Sequence, residues 1–332
     1  MGKRSSDERL RRSLTVKRGY SRRRKSFLSR NLYTLIGLAV IIAAVCFAYY
    51  KLTPEPLSSG RRFIQEDERY VKDRRDADET AKPASSAPLV YDRSSMTETQ
   101  KKLHDQLLVM YESYPALRPI AENMEEYPDE LIMLVLHDPE AIDFLLGYKE
   151  HRFDYGSSVD ISISGDLKAG EFPHFLQWDK RWGYLSYGDS NMAVNGCGAT
   201  ALSIVITGLT GNAKANPYEV AVFSEVNDHY SGEAGTSWTL ISEGAKDYGL
   251  TPKEVPRDAN ALKNAIRKGP VIASMGPGSF TSMGHFLVLV EVTGDGLIRV
   301  IDPNSIVRSD KLWSIDVFLN EGKNYWSFTV NN

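Results

Sequence analysis

The chain is nearly without cysteine: Cys46 and Cys197 are the two such residues among 332. That excludes a disulfide-stapled scaffold and any zinc site made from cysteine pairs. Histidine is scarce too, with six residues and no His-Glu-x-x-His pair to carry a catalytic metal. No metal and no cofactor are therefore expected. Gly276, Pro277 and Gly278 lack the lysine and the following helix of a phosphate loop. No internal repeat is visible. Past residue 50 there is no basic patch that would hold nucleic acid.

What charge there is sits unevenly. The net charge is −3, yet residues 1–31 are strongly basic, with Lys3, Arg4, Arg22, Arg23, Arg24 and Lys25 among them and only Asp7 and Glu8 in opposition. An uncharged run follows directly, Leu32 to Tyr50, which has the length of a bilayer-spanning helix. Tyr33, Tyr49 and Tyr50 stand where interfacial aromatics sit, and the basic flank predicts a cytoplasmic N-terminus with the remainder outside. Cys46, Phe47 and Ala48 make a poor cleavage site, so an uncleaved single-pass anchor is expected. Cys46 is then a membrane residue that cannot reach Cys197, which is left as a lone thiol on the exported side.

Residues 51–96, rich in charge, Ser and Pro, read as a flexible stalk. Thr97 to Gln100 form a capping box that opens a helical region over 97–150, broken by Pro115, Pro119, Pro128 and Pro139. Asp138, just before Pro139, reads as the cap of its last helix. A loop with one strand at Val159 to Ile163 leads to a second unit over 171–332. There, Cys197 to Leu209 is apolar nearly all round and should be a buried helix. Helices are also expected from Asn216, over Ser237 to Tyr248, and over Asp258 to Lys268. Strands then follow at Val271 to Ser274, Phe286 to Val292, Leu297 to Ile301 and Tyr325 to Val330, with Thr293 to Gly296 as a hairpin turn. Helices first and an antiparallel sheet afterwards predict an α+β fold.

Cysteine reacts as its thiolate, which a helix N-terminus favours. Cys197 opens the buried helix, and Gly196 and Gly198 beside it would let a substrate backbone approach. A nucleophile also needs a base held by a third group. His285 begins one strand and Asp302 follows the next. If those strands form a hairpin, imidazole and carboxylate meet at one end of the sheet, with Asn304 as the alternative orienting group. Trp238 reads as core.

These blocks resemble the exported cysteine peptidase domains of the bacteriocin-processing (double-glycine) family. The resemblance rests on Gln177 to Gly183, Asn195 to Thr200, Gly276 to Phe286 and Ile301 to Pro303, and covers residues 171–332. It implies a papain-like fold, with Cys197 as nucleophile, His285 as base and acid, and Asp302 as orienter. It also implies Gln177 as oxyanion donor together with the Cys197 amide. Transporter-linked members carry their glutamine about six residues before the cysteine, where Asn191 stands here, so Asn191 is the other candidate. The expected activity is hydrolysis of peptide bonds in a peptide or cell-wall peptide through a thioester. A peptidoglycan amidase or endopeptidase with the same triad, and a binding module without catalysis, are the alternatives.

Overall fold

The structure, a computed structural model, describes residues 87–152, 161–232 and 235–331. The expected basic tail, the span 32–50 and most of the stalk lie outside the described residues, among which no helix is long and apolar enough to cross a membrane.

Among the described residues, four helices come first. The capping box of Thr97 and Gln100 opens α1, Glu98–Ser113. After it come α2, Arg118–Glu122, α3, Asp129–His137, and α4, Ile142–His151, joined by 3-10 turns at the proline-marked breaks. Leu107, Leu117, Ile120, Leu131, Ile132, Val135, Phe144 and Leu145 form one apolar core between them.

The second part begins with the short strands β1, Ser186–Tyr187, and β2, Ser190–Asn191. Next is α5, Met192–Asn195, whose first turn is capped by the Asn191 side chain on Val194 N. Then comes α6, Cys197–Thr210, ended by Gly211 at φ 68°, a left-handed position that glycine adopts without steric cost. Its apolar sequence matches its place: every residue from Gly198 to Thr207 is buried. The helices α7, Pro217–Val226, and α8, Trp238–Ser242, follow. The single helix expected over 237–248 is split, because from Gly244 the chain tightens into a 3-10 turn ended by Gly249.

A six-stranded antiparallel sheet closes the fold. Its strands are β3, Leu250–Glu254, β4, Val271–Met275, β5, His285–Val292, β6, Ile298–Ile301, β7, Leu312–Trp313, and β8, Gly322–Val330, in the order β3-β8-β4-β5-β6-β7. Alternation along the strands sorts side chains onto two faces. Ile272, Phe286, Val288, Ile301, Trp326 and Phe328 face the core that α6 enters. Val271, Ala273, Leu287, Leu289, Val300 and Tyr325 pack with Leu262 of α9, Ala259–Ile266, and Phe318 of α11, Ile315–Glu321. The expected hairpin is present, with β5 antiparallel to β6 and Leu297 N on the Thr293 hydroxyl. β3, β7, α11 and α10, Ile306–Asp310, were not apparent in the sequence. No strand forms at residues 161–163, the described part of the expected 159–163.

Candidate active site

Three features bring Cys197, His285 and Asp302 together. The α5–α6 corner sets Cys197 at the first turn of a buried helix. The start of β5 supplies His285, which lies opposite Met275 of β4. The end of β6 supplies Asp302, whose neighbour Ile301 pairs with Val288. His285 and Asp302 are 7% and 0% exposed, so water does not screen their interaction. His285 Nε2 lies 2.6 Å from Asp302 Oδ1. With that nitrogen committed, Nδ1 is the ring atom left to face the Cys197 thiol, which lies close enough to favour charge on the ring.

The glycines flanking the thiol serve the protein's own packing. A Cβ at Gly196 would fall onto the Met192 carbonyl of α5, and one at Gly198 would lie 2.7 Å from Thr236 Cγ2. Thr236 Oγ1 in turn is 2.9 Å from the buried Tyr187 hydroxyl, which also reaches Ser224 Oγ at 2.8 Å. Close approach of neighbouring protein groups therefore requires glycine at both positions. Asn195 Nδ2 donates to Tyr187 O, Asp189 Oδ1 and the Tyr230 hydroxyl. This network fixes the corner that presents the cysteine.

Gln177 is buried. Its N–H donates to Pro303 O at 2.7 Å, which ties it to the turn carrying Asp302. Its side-chain Nε2 donates to Ala193 O at 2.6 Å and reaches Val194 O at 3.4 Å. The amide thus lies along α5, whose last residue is two positions before Cys197, and its recorded partners do not include the thiol. Asn191 uses its oxygen as the α5 cap. Trp238 is 46% exposed, so the expectation of core is corrected; its indole N–H donates to Ser274 Oγ at 3.0 Å, and Ser274 pairs with Phe286 beside His285.

No sequence motif marked Arg308 as part of the site. Its Nε donates to Asp302 Oδ2 at 2.6 Å, so the carboxylate lies between a guanidinium and an imidazole. Asn304 N donates to Asp302 Oδ1 at 2.8 Å, while the Asn304 side chain turns to Asp138. Asp302, and not Asn304, is thus the group on His285. Asp138 makes no cap bond in its own turn; its Oδ1 accepts from Arg308 Nη1 at 2.5 Å. The local signal for a cap was real, but a tertiary cation claims the carboxylate.

Burial works against charge on His285, yet the Asp302 carboxylate and the Cys197 contact outweigh it and raise the imidazole to about 10. Burial likewise works against charge on Asp302, but Arg308 and His285 hold it well below the ordinary carboxylate range. A cationic imidazole beside a thiol is the arrangement in which a thiolate can attack and the ring can then protonate a leaving amine. Among the described residues, no group of three or more His, Cys, Asp or Glu is placed to hold a metal ion.

Linkage gives these shifts a sign. The raised His285 contributes stability that is complete below its ordinary value, about 6.5, and is lost as the pH climbs through about 10. The depressed Asp302 contributes stability that is complete above about pH 4 and declines as the pH falls toward its own lower value. Urea midpoints are therefore expected to decline from pH 7 to 10, and to decline less steeply in His285→Gln. Parallel declines in both proteins would show that the imidazole is not the group responsible.

Residues 170–331 match the family model described as Peptidase_C39 like family. No curated protein matches the chain.

Proposed function

We propose, for a chain whose C-terminal region belongs to the peptidase C39-like family, that it is a cysteine peptidase acting through Cys197, His285 and Asp302. The observation that carries the reading is the buried 2.6 Å contact of His285 with Asp302, with Cys197 close enough to favour charge on the same ring. The order of helices and then antiparallel sheet is the one expected of a papain-like fold.

In the proposed reaction the Cys197 thiolate adds to the peptide carbonyl, forming a C–S bond. The oxyanion accepts from the Cys197 N–H at the α6 terminus and from the Gln177 amide, which turns toward it from Ala193 and Val194. His285 gives its proton to the departing amine as the C–N bond breaks. Water, deprotonated by the now neutral imidazole, then cleaves the thioester and restores the thiol–imidazole pair. Asp302 holds the ring's tautomer and stabilises its cation throughout. The exposed indole of Trp238 offers an apolar wall for a substrate side chain beside β4. The basic tail and the run 32–50 support an uncleaved membrane anchor, with the catalytic region outside the cell.

The test compares the wild-type full chain with Cys197→Ala on a peptide mixture and on purified cell wall. Cleaved peptides that appear with wild type alone support the peptidase. Fragments from cell wall, with peptides untouched, would favour the peptidoglycan hydrolase. No product from either would favour a binding module.

A further inference from the structure

The helices α1–α4 meet the candidate site through charge, at the corner between α3 and α4. There the chain runs His137, Asp138, Pro139, Glu140, and both carboxylates leave their own segment. Asp138 accepts from Arg308 Nη1 at 2.5 Å and from the Asn304 side chain. Glu140 accepts from Ser305 Oγ at 2.5 Å, from Ile306 N at 2.9 Å and from Val307 N at 3.3 Å. Those donors form the start of α10, the helix that bears Arg308. Arg308 Nε then holds Asp302 Oδ2 at 2.6 Å, and Asp302 Oδ1 holds His285. A continuous path of charged contacts runs from the α3–α4 corner to the imidazole.

We propose that Asp138 and Glu140 are positioning residues for the Cys197, His285 and Asp302 centre, so that the helical segment is a working support of the active site. The inference rests on the peptidase reading. First, the guanidinium is a planar fork, so fixing Nη1 on Asp138 fixes the direction from which Nε meets Asp302. Glu140 fixes the backbone from which that fork springs.

Second, the charges balance only with Asp138 present. Arg308 alone would neutralise the one carboxylate that the imidazolium needs. With Asp138 on its far side, the trio of Asp138, Arg308 and Asp302 keeps a net negative charge to face His285. The side chains of Asp138, Arg308 and Asp302 are 4%, 12% and 0% exposed. Burying three charges is costly compared with apolar packing, so this corner is poorly explained as a device for stability. The titratable groups around the trio are His285 and His174 beside Asp302, Glu140 beside Asp138, Asp310 near His174, and Cys197 beyond His285.

The experiment follows alkylation of Cys197 by iodoacetamide in the full chain, read by peptide mass spectrometry, as the ratio of rates at pH 6 and pH 9. Asp138→Asn keeps the shape and removes the charge; it is expected to lower that ratio about tenfold, the equivalent of one pH unit. Glu140→Gln is expected to lower it about threefold, roughly half a unit. Leu107→Ala, a truncation in the core of the same helices, is expected to leave it unchanged, although it lowers the urea midpoint. His285→Ala controls for the underlying reading and should lower the ratio at least as much as Asp138→Asn. If it does so while Asp138→Asn and Glu140→Gln behave as wild type, the positioning role is wrong and the peptidase reading stands. If His285→Ala also behaves as wild type, it is the peptidase reading that fails. A drop in Leu107→Ala equal to that in Asp138→Asn would mean loss of fold alone and would also overturn the inference. Should Asp138→Asn not fold, Glu140→Gln decides the matter.

Discussion

Asp302→Ala is expected to remove peptide hydrolysis almost entirely and to destabilise the fold by about 3–5 kcal/mol. The two losses share one cause. Asp302 is fully buried and its carboxylate accepts from both Arg308 Nε and His285 Nε2. Without it a guanidinium remains indoors with Asp138 as its one carboxylate partner, and the imidazolium loses its counter-charge. Turnover should fall by roughly 10⁴, the order seen when a triad carboxylate can no longer set the imidazole's tautomer. Asp302→Asn separates the effects. The amide fills the same space and destabilises less, while turnover still falls by about 10³–10⁴ because the imidazole is not held in its cationic form. Urea denaturation and product analysis by mass spectrometry measure the two effects. An Asp302→Asn protein with activity near wild type would show that this carboxylate does not serve His285.

Arg308→Met should be nearly as harmful by the opposite route. It leaves Asp138 and Asp302 facing one another in a dry corner with no guanidinium between them. A loss of about 3–5 kcal/mol is expected at pH 7, the size found when one partner of a buried ion pair is removed. The penalty should shrink in acid. Burial already pushes the Asp138 carboxyl upward against the pull of Arg308, and without Arg308 that upward push is unopposed by its main counter-charge. A group with a raised carboxyl pKa destabilises the fold above its ordinary value and ceases to do so once it is protonated. The difference in urea stability between wild type and Arg308→Met should therefore be smaller at pH 5 than at pH 7. An equal difference at both values would mean that the guanidinium contributes packing alone.

The catalytic candidates were legible because each lies where local signals are strong. Cys197 stands at the start of a run apolar on every side, which folds as the buried α6. His285 and Asp302 bracket a hairpin whose turn, Thr293 to Gly296, is marked by glycines. The antiparallel pairing of β5 and β6 then follows, and with it the meeting of imidazole and carboxylate. Arg308 was not legible, because α10 is a five-residue helix set by distant partners. Its cap comes from Ser305 and from Glu140, more than 160 positions away. The same distance explains Asp138. Its sequence context specifies a helix cap, and nothing local announces the arginine that takes its carboxylate. Gly196 and Gly198 were recognised as sites of close approach, but the approaching groups, Met192 O and Thr236, come from a turn of α5 and from a loop no pattern links to them. Trp238 misled for a related reason: an aromatic in a helix start reads as core, while its indole edge rests on Trp326 and Ser274 and leaves nearly half of it in solvent.

The central claim is that His285 activates Cys197, and alkylation of Cys197 across pH in wild type and His285→Ala tests it most directly. Iodoacetamide should modify wild-type Cys197 readily at pH 6 if, as proposed, the imidazolium held by Asp302 assists attack by the sulfur. His285→Ala should then react about tenfold or more slowly at pH 6, approaching wild type only as the pH nears 9. Two proteins whose Cys197 reacts with the same rate and the same pH dependence would contradict the account.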